Sequence, residues 1–172
     1  MELKCTHSLL RPWRLEDAGS LCVHANNSKV SENLRDVFPF PYTLLDAEYF
    51  IKNIASSTTN LILAIEVDGE AVGSIGILPQ TDVYQKSAEL GYWLGEKYWR
   101  KGIVSEVVAA IVTYAFNTYD INRIYASVFD RNIASMRVLE KCGFVREAIL
   151  RKAVIKNEVV MDEYVYALLR NN

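Results

Sequence analysis

Two β-rich runs joined by Asp68-Gly69 restrict the folds open to this chain more than any other feature. Leu61–Val67 reads Leu-Ile-Leu-Ala-Ile-Glu-Val, and Glu70–Leu78 continues in the same apolar style. An Asp-Gly step between such runs predicts a hairpin closed by a type I′ turn, whose twist matches that of the strands it joins. A third run, Ser87–Leu94, reads as the next strand. Side chains alternate along a strand, so Glu89, Gly91 and Trp93 share one face while Leu90, Tyr92 and Leu94 share the other.

After Gly102 the apolar period becomes helical, with Val104, Val107, Val108, Ile111 and Ala115 on one stripe. A strand at Arg123–Phe129 and a helix at Ile133–Lys141 follow, and Gly143 stands where a left-handed cap would close that helix. Two more strands, Phe144–Leu150 and Val159–Leu168, join across Lys156-Asn157. Upstream, a short strand at His7–Pro12 leads to a helix opening at Leu15, with Glu16 and Asp17 in its first turn. The prolines of Phe38-Pro-Phe-Pro-Tyr42 mark a surface loop. Thr43 and Asp46 form a capping box for a helix running to about Ser56. About seven strands and about four helices define a mixed α/β (α+β) architecture. The 172 residues, free of repeats and linkers, suit one domain spanning 1–172.

Charge narrows the function. Nineteen basic and twenty-one acidic residues give a net charge of −2, which argues against a general nucleic-acid binder. Three cysteines, Cys5, Cys22 and Cys142, have no paired spacing, and a reducing, cytoplasmic setting is the simpler expectation. The N-terminal stretch lacks a signal-peptide core, and no apolar run is long enough to span a bilayer. His7 and His24 have no second ligand nearby in sequence, so no metal site is expected.

Trp99-Arg-Lys-Gly-Ile-Val-Ser105 sits between a strand and an amphipathic helix. Unpaired amides at a helix start carry partial positive charge, and Arg100 and Lys101 add formal charge. Gly102 lets backbone approach a pyrophosphate closely, with Ile103, Val104 and Ser105 supplying the helix amides. Taken alone, these residues equally describe a turn glycine with solvated basic neighbours.

The wider pattern resembles the GNAT acetyltransferase family. The loop is similar to that family's Gln/Arg-x-x-Gly-x-Gly/Ala motif, with Gly102 central and with Trp99 and Val104 departing from the usual residues. Asn132-Ile-Ala-Ser135-Met-Arg-Val-Leu139-Glu-Lys-Cys-Gly143-Phe144 resembles the corresponding helix of the RimJ/RimL branch, the ribosomal-protein N-acetyltransferases. Leu10–Ala18, Gly73–Gly76, Ala88–Leu94 and Asp162–Tyr164 resemble further family segments in family order.

This resemblance implies a GNAT fold with a strand pair splayed at an acetyl-CoA site, and transfer of acetyl to an amine. Glu89 matches a position where relatives often carry a catalytic base, although a strand carboxylate is also ordinary surface chemistry. The helix position at which many relatives carry a tyrosine acid is Leu139 here. Ser135 is the implied substitute, competing with a plain helix-start role. Asn132 is expected to cap the helix and touch the pantetheine arm. Backbone amides along Tyr92, Trp93 and Leu94 are expected to polarise the thioester carbonyl, and Phe38, Phe40 and Tyr42 to line the acceptor pocket. The branch points to a protein or peptide N-terminus as acceptor, with polyamines and aminoglycosides as alternatives. A non-catalytic acyl-CoA-binding module is the rival of another class. Either a monomer or a homodimer suits the chain.

Overall fold

The structure, a computed structural model, describes residues 1–170; positions 171 and 172 of the expected 1–172 domain lie outside them. Strands β1 (Leu3–Lys4) and β2 (Leu9–Pro12) come first. A 3-10 turn at Leu15–Asp17 leads into helices α1 (Ala18–Ala25), α2 (Ser28–Ser31) and α3 (Leu44–Tyr49). The last of these widens to π geometry over Phe50–Ala55. Strands β3 (Leu61–Val67), β4 (Glu70–Pro79) and β5 (Ser87–Leu94) precede helix α4 (Ile103–Thr118). Strand β6 (Arg123–Phe129), helix α5 (Ile133–Lys141) and strands β7 (Val145–Lys156) and β8 (Val159–Leu169) complete the order.

The sheet has eight strands in the order β1-β2-β3-β4-β5-β6-β8-β7. That is one more than expected, because a two-residue β1 is too short to show alternation. The additional helix, α2, is a single turn, capped where the Asn27 side chain accepts from the Lys29 N–H. Asp68 and Gly69 both take positive φ, 52° and 82°, as a type I′ turn requires. The β7–β8 hairpin runs further than expected and turns at Asn157-Glu158, both also at positive φ. The Thr43–Asp46 capping box forms as read, each side chain bonding the other's backbone N–H.

Helices α4 and α5 cover one sheet face. There Ile75, Ile77, Leu90 and Leu94 join Val107, Val108, Ile111 and Leu139 in the main core. On the opposite face a smaller cluster gathers Leu21, Ala25, Tyr42, Ala47 and Ile51, with Trp93 packed against it. The alternation read for β5 therefore holds. Covering on both faces explains why β4 is buried from Ala71 through Ile77.

Asp17 lies in the first turn as read, and it is buried there. Its carboxylate turns inward, accepting from the Arg11 guanidinium at 2.7 and 2.8 Å and from the Arg14 N–H at 2.8 Å. Arg11 is 1% exposed and also pairs with Glu66, tying β2 and β3 to the start of α1. Burial alone would raise the Asp17 pKa; the hydrogen bonds from Arg11 and Arg14 outweigh it and hold the group below its ordinary value. A depressed folded pKa adds stability above the unfolded value of about 3.9 and loses it as pH falls through the folded value. Asp17→Asn is expected to cost about 3–5 kcal/mol at pH 7, since it leaves a buried guanidinium underpaired. In urea unfolding, the gap between variant and wild type should close as pH drops below about 4.

Candidate active site

The geometry starts where β5 and β6 part. They pair in parallel at only three positions, Ser87↔Arg123, Ala88↔Ile124 and Glu89↔Tyr125. Beyond Glu89 each strand stays with its other neighbour: β5 with β4 as far as Leu94, and β6 with β8 as far as Phe129. The remainder of β5 thus has one edge without a ladder. Gly95 donates its N–H to Val72 O on the β4 side, so by strand alternation the amides of Leu94 and Tyr92 point into the gap.

Two cavities open at this gap. One, of about 450 Å³, runs along the loop before α4 and is lined by Arg100 through Ser105. Gly102 adopts φ 79° and Arg100 φ 61°, both left-handed, so the loop curls at the edge of the cavity that it lines. Arg100 and Lys101 are exposed and have no carboxylate partner among the described residues. The preceding turn is anchored from behind. Tyr98 donates to Glu70 at 3.1 Å, and the other oxygen of Glu70 lies 2.8 Å from His24 Nε2. The His24 hydrogen bond, aided by Tyr98, lowers the Glu70 pKa. Trp99 folds its indole N–H onto Leu94 O at 2.6 Å, joining the loop to the end of β5.

The second cavity, of about 320 Å³, lies on the face of Glu89, Gly91 and Trp93. Its floor is cut low by Ser74, Gly76 and Gly91, and a Cβ on Gly91 would meet no atom within 4 Å. Glu89 is paired with Arg35, and Glu163 is a second carboxylate of the wall. Asn33, Leu34, Tyr92, Trp93, Asn132 and Ser135 line both cavities, which makes the two spaces confluent.

Asn132 caps α5, its Oδ1 accepting from the Ser135 N–H at 3.1 Å. The Ser135 hydroxyl takes no part in that cap; it lies 2.8 Å from the Tyr92 hydroxyl. Leu139 is 0% exposed and belongs to the main core. The expected acceptor-lining aromatics separate. Phe38 lines the second cavity and also a neighbouring one beside Lys156, whereas Phe40 lines the neighbouring one alone. Tyr42 lines none of these cavities: it is 5% exposed and stacks against Phe38 at 4.9 Å in the smaller core. Its ring covers α1 instead of lining the pocket. Arg35, Glu163 and Lys29 join the site without having been read from sequence. They reach it from a loop, a distant strand and a one-turn helix; of the three only Glu163 falls in a segment that the family resemblance marked, Asp162–Tyr164, and no role was read for it there.

Residues 7–145 match the family model described as an acetyltransferase (GNAT) domain, and the chain belongs to that family. A Bacillus licheniformis protein, uncharacterized N-acetyltransferase p20, is 29% identical over 99% of this chain and 97% of its own length. The ribosomal-protein-serine acetyltransferase of Escherichia coli is 28% identical over 58% of this chain and 55% of its own. Among solved structures, the microcin C7 self-immunity acetyltransferase MccE in complex with acetyl-CoA and AMP matches with a TM-score of 0.83. Its identity is 25%, covering 96% of this chain and 93% of that one. The protein is an acetyl-CoA-dependent N-acetyltransferase.

The first cavity fits that donor: helix-start amides and two unneutralised cations suit a pyrophosphate, and the β5 amides suit an extended amide-bearing arm. Among the described residues no group of His, Cys, Asp or Glu is arranged to hold a metal. No helix among them is long and apolar enough to cross a membrane. Gly102→Val places a β-branched side chain at a left-handed position and into the cavity, where no protein atom opposes it. It is expected to weaken acetyl-CoA binding at least tenfold in calorimetric titration while the far-ultraviolet circular dichroism stays native. Unchanged affinity in the folded variant would remove the loop from the site.

Proposed function

We propose that the acceptor is the α-amino group of a protein or peptide N-terminus, received in the second cavity beside Glu89. The observation that carries this reading is the confluence of the two cavities at Tyr92, Trp93, Asn132 and Ser135. A donor seated along the α4 loop and an amine entering past Glu89 would meet there. The match to a ribosomal-protein-serine acetyltransferase supports a protein acceptor. The modest equipment of the site supports an α-amino group. An α-amino group costs only about 1 kcal/mol to deprotonate at pH 7, against nearly 5 for lysine. One carboxylate, acting directly or through water, suffices for the former.

Acetyl-CoA supplies an activated acetyl thioester. The residues of this chain divide the remaining work. Glu89 takes the proton that the amine loses as nitrogen attacks the carbonyl carbon. The gap-facing amides of Tyr92 and Leu94 accommodate the growing charge on the carbonyl oxygen, as preorganised donors do. When the carbon–sulfur bond breaks, its electron pair goes to sulfur and Ser135 offers that sulfur a hydroxyl. Phe38 and Trp93, whose rings lie 5.5 Å apart, wall the acceptor's entry.

The acceptor is tested with peptides beginning in Ala, Ser or Met beside spermidine and kanamycin, following thiol release. Turnover of the peptides is expected; turnover confined to spermidine or kanamycin would reject the reading. Glu89→Gln should lower kcat about 100-fold or more at pH 7, the usual scale of a positioned base, with acetyl-CoA affinity nearly unchanged. Because the amine deprotonates unaided as pH rises past its pKa, the deficit should shrink toward pH 9. No deficit at pH 7 assigns Glu89 a structural role, whereas a deficit undiminished at pH 9 confines it to the proton lost during attack.

A further inference from the structure

The Ser135 hydroxyl has a partner that the reaction scheme above does not use. Tyr92 reaches across the β5–β6 gap and places its phenol oxygen 2.8 Å from Ser135 Oγ and 3.4 Å from Ser135 O. Burial pushes the phenol pKa well above its ordinary value, so Tyr92 stays protonated and remains a donor at every working pH. Burial likewise raises the pKa of the Cys142 thiol. A phenol is a better donor than an aliphatic hydroxyl. Once it donates to a Ser135 lone pair, the serine's single proton has to point elsewhere.

We infer that Tyr92 is a positioning residue that orients the Ser135 hydroxyl so that its proton faces the sulfur leaving acetyl-CoA. This inference rests on the assignment of Ser135 to that sulfur. It explains how a serine can serve where Leu139 leaves no room for an acid. A lone serine hydroxyl rotates among three positions, and its neighbours decide which one is filled. With the Tyr92 phenol donating to it, Ser135 is fixed in rotamer and polarised, since chained hydrogen bonds strengthen one another. The chemistry balances without an ionised tyrosine. The amine nitrogen forms the carbon–nitrogen bond and loses a proton to Glu89, and the carbon–sulfur pair moves to sulfur. The Ser135 hydroxyl stabilises the thiolate until solvent protonates it.

The test needs a readout that does not depend on knowing the acceptor. The thiolate of CoA absorbs near the far end of the ultraviolet range, so the pKa of the thiol in bound CoA can be titrated directly. Wild type, Ser135→Ala, Tyr92→Phe and the double variant are compared, each with its CoA affinity and thermal midpoint. Ser135→Ala is expected to raise the bound-thiol pKa by about 1 to 2 units, the scale of one charge-assisted hydrogen bond. Tyr92→Phe should raise it by a smaller amount, and the double variant no more than Ser135→Ala alone. Where a peptide acceptor turns over, Tyr92→Phe should lower kcat roughly two- to tenfold and leave KM for acetyl-CoA in place. Should the loss of the phenol unsettle the fold, 3,5-difluorotyrosine at position 92 keeps the ring and sharpens the donor, and should lower the bound-thiol pKa below wild type. A shift in Ser135→Ala with none in Tyr92→Phe overturns the role of Tyr92 and leaves that of Ser135 standing. Additive shifts overturn action through Ser135, and no shift in Ser135→Ala overturns both assignments.

Discussion

The early parting of β5 from β6 is the constraint on which the rest of this molecule depends. Strand β5 is paired with β4 from Ala88 to Leu94, and β6 with β8 from Arg123 to Phe129. Past Glu89 each strand keeps its antiparallel partner while the two draw apart, so the ladder between them ends after three positions. The consequence is a stretch of β5 whose inner edge offers amides to whatever enters. In a sheet interior such groups would be costly to leave unmet, by about 1–3 kcal/mol each when buried. The molecule retains them only where a ligand can reach them, at the meeting of two cavities.

Charge is distributed to match. Lys29, Arg100 and Lys101 border the larger cavity, with Lys29 already committed to Glu96. Glu89 and Glu163 border the smaller one, with Arg35 set against Glu89. One side is thus suited to an anion and the other to an ammonium. The chain between α2 and α3 forms part of both walls and is tied down at several points. Asp36 accepts from Lys156 at 2.7 Å, and Glu32 O accepts from Arg131. Those ties reach the end of β7 and the β6–α5 turn, so the wall is held from the β6-β8-β7 side of the gap.

How much of this was legible in the sequence follows from the range of the forces involved. The Asp68-Gly69 turn, the Thr43–Asp46 capping box, the extent of α5 and the two faces of β5 are set by residues within a few positions of one another. All four read correctly. The position of the α4 loop followed from a local glycine and two cations. What escaped was set by distant partners. Asp17 was read correctly as a first-turn acid, but its burial depends on Arg11 being drawn under the sheet by Glu66, 55 residues further on. Arg35, Glu163 and the Tyr92 side chain enter the site through pairings with residues far along the chain, and Tyr42 left the expected pocket because α1 and α3 needed an aromatic between them.

Leucine at position 139, where the family resemblance implies a tyrosine in many relatives, is a matter of packing before it is one of chemistry. Leu139 is fully buried against the apolar stripe of α4, and Phe144 closes the next turn over the same core. A phenol at that depth would overpack a filled space at about 1–3 kcal/mol and bring a hydroxyl in need of a partner. One turn earlier the helix faces the gap and not the core, and there a small hydroxyl fits without displacing anything. A serine alone is a loosely defined donor, with one proton and little to fix its direction. Placing Tyr92 opposite it from the sheet returns a phenol to the neighbourhood of the reaction from the other wall. The core keeps its leucine, the gap keeps its width, and a donor pair spans the two elements that bound the site.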